Sequence, residues 1–202
     1  MNEIKRNQSI GVPKPLVDGP EKVSGKALYS GDFIPKNCLV GRIMRSPVAH
    51  AEIINIDIIE AQKLPGVKVI ITGDETDEPF GILPIARFEF PLARDKVRYR
   101  GEPIACVVAV DVETAQAAID VIKFEYKELP GYFKSKEAMV EGAVDLHEHR
   151  PGNIEREVDF ELGEVDAGLA DSDFILEETF NCAEICQVQS EPHAAIAEFD
   201  VE

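Results

Sequence analysis

The segment 104–129 constrains the fold of this chain more than any other, because three elements follow one another with almost no loop. Residues 104–110 form an unbroken apolar run, which is typical of a strand covered on both faces. Asp111 predicts a helix start, since its carboxylate can accept hydrogen bonds from free backbone amides. Apolar residues recur at helical spacing over 112–122, and from Lys123 the period changes to two. We therefore predict strand, helix and strand, with the helix packed directly on a sheet.

A second, shorter set of elements precedes this segment. A strand is predicted over 39–46, and another over 52–58 with Ile54, Ile56 and Ile58 on one face. A short helix over 60–64 and a strand over 67–71 follow. These patterns predict an α/β domain from about Gly25 to Pro130. Residues 1–23 are rich in Gly and Pro and are expected to form an extended arm that cannot become a helix.

The long connection 74–100 is rich in proline and aromatic residues, and loops of this length are usually functional or disordered. Its aromatic content argues against disorder, which leaves packing of the loop or direct ligand contact. Farther along, Ser135 is predicted to cap a short helix that ends at Gly142. Strands are predicted over 157–162, 174–185 and 194–201, with an amphipathic turn at 165–169. The segment from about Asp145 therefore resembles the opening of a domain whose remainder is absent.

The chain of 202 residues carries 38 acidic and 21 basic residues, a formal net charge of −17. This balance argues against binding to nucleic acid or to an anionic membrane surface. Residues 1–6 are polar and no apolar segment follows, so we expect no signal peptide and a cytoplasmic location. No apolar run approaches the roughly 20 residues of a membrane span. The four cysteines are expected to be free thiols.

No complete active site is evident from residue patterns alone. Cys182 and Cys186 are too far apart for one zinc ion if they lie on a strand, and no second cysteine pair exists. His147 and His149 alternate in a predicted loop, where a surface role is expected. Phosphate-binding glycine loops and the G-x-S-x-G motif are absent from the sequence. No metal ligands are therefore assigned.

Several landmarks in order resemble the molybdopterin-binding subunit of the xanthine dehydrogenase/aldehyde oxidase family. They are residues 12–27, 45–51, 64–67 with 71–73, 97–103, 163–173 and 191–195. The resemblance implies an α+β (α/β) fold. It implies an extended arm at 1–23, an α/β hammerhead domain at 24–131, and the incomplete start of a molybdopterin-binding domain at 132–202. The family's catalytic glutamate and most of its pterin-binding loops are then expected beyond residue 202, so no catalytic residue is assigned to this chain. A shortened polypeptide and a naturally split subunit both remain open.

Within the family, 79–86, 90–101, 153–158 and 182–184 are similar to the α subunit of the 4-hydroxybenzoyl-CoA reductase branch. This resemblance implies reductive dehydroxylation of 4-hydroxybenzoyl-CoA to benzoyl-CoA in anaerobic aromatic degradation. It implies molybdenum held by molybdopterin cytosine dinucleotide in the complete subunit, with iron–sulfur clusters and FAD on partner subunits and ferredoxin as electron donor. None of these cofactors is expected on this chain alone. The alternatives are a molybdenum hydroxylase acting on an aldehyde or N-heterocycle, and a non-catalytic scaffold domain.

Two sets of site residues follow from the resemblance. Ile185, Gln187 and Glu191 are candidates for lining the cofactor site, and many relatives carry a glutamine near the position of Ile185. Since Ile185 cannot supply the same hydrogen bond, it favours the reductase branch. Basic residues of the long connection are candidates for contact with polyanionic CoA: Arg94, Arg98 and Arg100, together with Arg87 and Lys96.

Overall fold

The computed structural model describes residues 11, 13–81 and 87–199. The chain divides into two compact units. The larger unit is Cys38–Leu176, and the smaller one combines the described parts of Met1–Asn37 and Glu177–Glu202. Across the described ranges, no helix has both the length and the apolar character needed to cross a lipid bilayer.

The larger unit is built on two three-stranded antiparallel sheets. One has the order β1-β5-β3 and the other the order β4-β2-β6. β5 lies in the centre of its sheet, where Val107 pairs with Arg42 on one side and Ile70 on the other. The strands are β1 (Val40–Arg45), β2 (Ala51–Asp57), β3 (Val67–Thr72), β4 (Lys96–Val97), β5 (Pro103–Ala109) and β6 (Lys123–Glu128).

Among the described residues, five short α-helices accompany the strands. α1 (Gly19–Val23) belongs to the smaller unit, and the others belong to the larger unit. They are α2 (Ile59–Gln62), α3 (Val112–Val121), α4 (Ser135–Ala138) and α5 (Val165–Ala170). Single 3₁₀ turns occur at Ser30–Asp32, Gly73–Glu75 and Pro151–Asn153.

The prediction for 104–129 is confirmed. The Asp111 carboxylate accepts a hydrogen bond from the Thr114 amide at 2.7 Å and so caps α3. α3 packs on the sheet through Ala115 and Ala118, which are buried against Val107 and other residues of one hydrophobic cluster. The opposite face of β5 is less covered, since Cys106 is only half-buried. The expected coverage of both strand faces therefore holds in part.

Each strand–helix–strand set crosses from one sheet to the other. β5 and β6 flank α3 but lie in different sheets, and so do β2 and β3, which flank α2. A second cluster forms where the sheets meet the long connection, with Ala51, Ala93, Val97 and Ile104 buried together. Met44 packs against both clusters, so the two sheets share one continuous core.

The predicted alternation in β2 is wrong at Ile54. The pairing with β6 is interrupted between Ile53 and Asn55, which is a β-bulge. A bulge inserts an extra residue and reverses the side-chain alternation beyond it. Ile54 is consequently 58% exposed, whereas Ile56 and Ile58 pack against the core as predicted.

Two predictions of helix position are corrected. The arm was expected to exclude helix, yet α1 forms because Pro20 lies in its first turn, where the missing amide has no intrahelical acceptor to lose. Ser135 is the first residue of α4 rather than its cap, a position that Lys134 takes without a side-chain hydrogen bond. α4 ends at Ala138, before the predicted end at Gly142.

The predicted strands after residue 156 do not form. Residues 157–162 and 174–185 are irregular, and so is the described part of 194–201, of which 200 and 201 lie outside the described residues. Their aromatic side chains are exposed, for example Phe160 and Phe180. A strand needs a neighbour to bond its amides and carbonyls, and no described segment pairs with these. The amphipathic turn at 165–169 lies in α5.

Candidate functional site

Two neighbouring cavities lie in the larger unit. We call them the arginine cavity, of about 380 Å³, and the phenylalanine cavity, of about 450 Å³. They share Arg98, Tyr99, Leu146 and His147 as a common wall. The arginine cavity is also lined by Ala49, His50, Arg100, Gly131, Tyr132, Phe133, Ala138, Arg150, Asn153 and Glu155. The phenylalanine cavity is also lined by Phe80, Phe88, Glu89, Phe90, Pro91, Ala93, Arg94, Asp95, Glu102 and Pro103.

Arg98 of the common wall forms an ion pair with Glu102, which lines the phenylalanine cavity. Their charged groups approach to 3.5 Å, with the Glu102 side chain only 13% exposed. The Glu102 carboxylate also accepts a hydrogen bond from the Arg98 backbone amide, and the Arg98 guanidinium donates to the Lys96 carbonyl at 3.1 Å. Burial raises the pKa of the Glu102 carboxyl, and the Arg98 amide and guanidinium oppose that rise. Arg98 is therefore paired through its terminal nitrogen, while its buried Nε finds no hydrogen-bond partner among the described residues.

A tight turn presents Arg100 to the arginine cavity. The Glu102 amide donates to the Tyr99 carbonyl at 3.2 Å, and Gly101 has a φ of +95°, which a type II turn requires at its third residue. The turn is fixed from behind: the Gly101 amide donates to Ser46, and the Arg45 guanidinium donates to the Gly101 carbonyl at 2.9 Å. The turn is thus held rigidly against the end of β1.

The other side of the arginine cavity is fastened by Asn153. Its side-chain oxygen accepts from the Leu146 amide at 2.7 Å, and its side-chain nitrogen donates to the carbonyls of Ala138 and Val144. Asn153 has a φ of +58°, a left-handed conformation that Asn tolerates better than most residues. One side chain thereby ties α4 to the 144–153 segment.

His50 forms part of the arginine cavity and is 2% exposed. Its Nδ1 lies 2.8 Å from the Pro130 carbonyl oxygen, so Nδ1 carries the proton and donates. Its Nε2 is buried and finds no hydrogen-bond partner among the described residues. This imidazole holds the chain after β6 against the entry to β2.

Phe88 packs the long connection onto the 146–153 segment. Its ring is edge-on to His147 and His149, at centroid distances of 5.4 and 4.4 Å. The guanidinium of Arg150 lies 5.4 Å from the same ring, and it forms a two-point ion pair with Glu155. Phe88 therefore packs the long connection against the 146–153 segment. Direct contact of this connection with a ligand stays a prediction.

Burial lowers the pKa of His147, and the positive charges of Arg98, His149 and Lys96 contribute in the same direction. The negative charge of Glu155 acts in the opposite sense. His147 was expected at the surface but is half-buried in the wall that the two cavities share.

The predicted basic residues are only partly brought together. Arg98 and Arg100 both line the arginine cavity, whereas Arg94 lines the phenylalanine cavity and lies 5.3 Å from the Phe90 ring centre. Lys96 donates to the Asp145 carbonyl at 3.2 Å, and Arg87 is exposed.

The predicted cofactor-site residues lie in the smaller unit. Ile185 is 90% exposed and Gln187 is exposed in an irregular segment. The Glu191 carboxylate accepts from the Ser30 amide at 3.3 Å and lines a cavity of about 580 Å³ with Tyr29 and Asp32. Whether the three residues line a cofactor site stays a prediction.

Sequence reasoning missed Glu102, Arg150 and Asn153. The signal for Asn153 was local, since Gly152-Asn153 is a pair of residues that both accept left-handed backbone. Arg150 and Glu155 are five residues apart in a loop, a spacing that predicts no contact by helix or strand geometry.

Comparison with known proteins identifies the family. Residues 24–130, just over half of the chain, match the domain described as "Aldehyde oxidase and xanthine dehydrogenase, a/b hammerhead domain". The chain belongs to the xanthine dehydrogenase/aldehyde oxidase family. This is a family of molybdenum oxidoreductases, and the mixed α/β fold with antiparallel sheets agrees with the predicted hammerhead.

Three known proteins illustrate how similar this chain is to longer members of the family and how much of their length it covers. The nicotinate dehydrogenase large molybdopterin subunit of Eubacterium barkeri is 33% identical over 98% of this chain and 46% of its own length. Aldehyde oxidoreductase from Desulfovibrio gigas is 29% identical with a TM-score of 0.61, over 68% of this chain and 16% of its own. Quinoline 2-oxidoreductase from Pseudomonas putida 86 is 31% identical with a TM-score of 0.55, over 66% and 18%. The chain thus spans less than half of each relative.

The described residues do not by themselves fit a molybdenum cofactor. Within 11, 13–81 and 87–199, no group of three or more His, Cys, Asp or Glu side chains is arranged to hold a metal ion. The cavity beside Glu191 also contains Asp32, and two carboxylates there oppose an anionic pterin phosphate. All four cysteines are free thiols, three of them exposed.

Proposed function

We propose that this chain is the hammerhead-bearing part of a molybdenum hydroxylase that oxidises a nitrogen-containing aromatic ring. The observation that carries the proposal is the 33% identity to the nicotinate dehydrogenase subunit over 98% of the chain. The likeness to quinoline 2-oxidoreductase supports the same substrate class, since both printed names denote nitrogen heteroaromatics. The cavity walls, with Tyr99, Tyr132 and Phe133 beside arginines, suit flat and polar ligands.

The proposed holoenzyme has the molybdopterin-binding domain that 132–202 would begin. It includes molybdopterin cytosine dinucleotide with molybdenum, an iron–sulfur subunit and an FAD subunit. We assign it to the cytoplasm, as expected from the sequence. In it, the hammerhead braces the pterin domain and contributes to the substrate entrance.

A second candidate is the reductive dehydroxylation of 4-hydroxybenzoyl-CoA with ferredoxin as donor. The runs 79–86 and 90–101 favour it through their similarity to that branch, and so does Ile185. The charges around the cavities favour it less. Arg98 is paired with Glu102 and Arg150 with Glu155, which leaves Arg94 and Arg100 among the described cavity-lining arginines for the CoA phosphates.

The test uses the complete enzyme with all its subunits. Nicotinate and quinoline are offered with an artificial electron acceptor in ¹⁸O-labelled water, and 4-hydroxybenzoyl-CoA is offered with reduced viologen. The proposal predicts a hydroxylated ring that carries one ¹⁸O atom. Formation of benzoyl-CoA without heterocycle oxidation would establish the second candidate instead. If a molybdenum-loaded complex catalyses neither reaction, both candidates are wrong.

A further inference from the structure

The arginine cavity concentrates positive charge on a strongly acidic protein. The chain has a net charge of −17, yet this cavity is lined by Arg98, Arg100 and Arg150 with Glu155 as its acidic residue. Clefts with low-dielectric walls focus the field of such residues. The charge that this cavity can offer a ligand therefore depends on which of its arginines is left without a carboxylate partner.

Arg100 is the cation left for a ligand. Arg98 is paired with Glu102, and Arg150 is paired with Glu155 at 2.8 Å. Among the described residues, no carboxylate lies within ion-pair distance of Arg100. The hydrogen-bonded turn fixes the backbone position from which the exposed Arg100 side chain extends. A guanidinium binds a carboxylate through two parallel hydrogen bonds.

The remaining walls set the shape of the ligand. Tyr99, Tyr132 and Phe133 line the cavity together with the His147 ring. Planar side chains favour stacked or edge-on contact with a planar ligand. A volume of about 380 Å³ is near the lower end of ligand pockets, which suits one or two rings.

We propose that the arginine cavity binds a small aromatic carboxylate, with Arg100 as the partner of the carboxylate. This rests on the proposed function, because it narrows the substrate class to aromatic rings that carry a carboxylate and gives the hammerhead a binding site for them. The Asn153 hydrogen bonds hold the cavity in shape before the ligand arrives.

The test measures binding to the 202-residue chain, without turnover. Benzoate is titrated by heteronuclear NMR, with benzamide as the uncharged isostere and cyclohexanecarboxylate as the non-planar one. We expect saturable benzoate shifts at the amides of 99–102 and 131–133, and weaker binding of both isosteres. Arg100→Gln is expected to weaken benzoate binding about tenfold, and Arg100→Lys less, because the lysine keeps the charge but loses the paired geometry.

Arg42→Gln is the matched control, since Arg42 is an exposed arginine on β1 outside the cavity. It should leave binding unchanged while removing the same charge. The inference is overturned if benzoate shows no saturable shifts, if its shifts lie elsewhere, or if Arg42→Gln weakens binding as much as Arg100→Gln. Such a failure leaves the proposed function standing, because heterocycle oxidation by the complete enzyme is measured separately.

Discussion

The guanidinium of Arg98, in the wall between the two cavities, lies 3.5 Å from the carboxylate of Glu102, which lines the phenylalanine cavity. Arg98 directly follows β4, and Glu102 directly precedes β5, so the pair closes the turn that carries Arg100. The contact connects one strand from each sheet. It thereby couples the stability of the hammerhead to the shape of the candidate site.

Glu102→Gln is expected to lower the free energy of unfolding by about 1–3 kcal/mol, because it leaves the largely buried Arg98 without its countercharge. Glu60→Gln is the control, since the Glu60–Lys63 pair is more than 60% exposed on both sides. The control should change stability by less than about 0.5 kcal/mol. Urea unfolding followed by circular dichroism measures both, and equal effects would show that the Arg98–Glu102 contact contributes nothing special.

We predict that the folded chain loses stability in mild acid because of His147. Its pKa is lowered in the folded chain from an ordinary value of 6.5, so below that pH the unfolded chain takes up the proton first. Stability is therefore present above the unfolded value and is lost as the pH falls through the folded pKa. The groups facing the imidazole are Arg98, Lys96, His149 and Glu155.

The measurement is the urea midpoint of the wild type and of His147→Gln between about pH 7 and pH 5. The wild type should lose more stability over that interval than the variant, because the variant lacks the titrating group. A His147→Gln variant with an unchanged slope would contradict the prediction.

Asn153→Gly is expected to destabilise the chain by about 2 kcal/mol. Glycine keeps the left-handed backbone but removes the side chain that bonds Leu146, Ala138 and Val144. Asn37→Gly is matched to it, because Asn37 is exposed and has a similar φ of +64°. Hydrogen exchange at the Leu146 amide should accelerate only in Asn153→Gly. Protection that persists there would mean that the segment is held by other contacts.

Gly73→Ala and Gly168→Ala should change the stability of the chain in opposite directions. A Cβ at Gly73 would collide with the Ala93 carbonyl oxygen and lie 2.9 Å from the Arg94 Cα, both of them backbone atoms. Gly73→Ala should therefore cost about 1–3 kcal/mol. A Cβ at Gly168, within α5, meets nothing within 4 Å, so Gly168→Ala should stabilise the chain by up to about 1 kcal/mol. Thermal melts that moved in the same direction would contradict this packing.

Local patterns predicted most elements between residues 39 and 129, apart from β4, but not the pairing of the strands. Asp111 and the period change at Lys123 were readable because capping and alternation are local. The assignment of β5 and β6 to different sheets depends on contacts distant in sequence. The bulge at Ile54 was equally hidden, since an alternating run contains no sign of an inserted residue.

Of the candidate site, only the arginines of the long connection could be predicted from the sequence. Arg94, Arg98 and Arg100 stand close together in sequence, but their partners decide their roles. Glu102 pairs with Arg98, and Arg94 lines the phenylalanine cavity beside the Phe90 ring. Of the three, Arg100 is therefore the one that lines the arginine cavity without a carboxylate partner among the described residues. In the segments after residue 156, alternation predicted strands that require neighbours the described chain does not provide.

The most direct test of the central claim is a molybdenum measurement. The chain, tagged at one terminus and isolated from its native source with its complete enzyme, is analysed by mass spectrometry for metal and for cytosine dinucleotide. If this chain is part of a molybdenum enzyme, we expect about one molybdenum and one dinucleotide per copy of the complete enzyme, and neither on the isolated 202-residue chain. A complete enzyme without molybdenum, or an isolated chain that binds molybdenum stoichiometrically, would contradict this assignment.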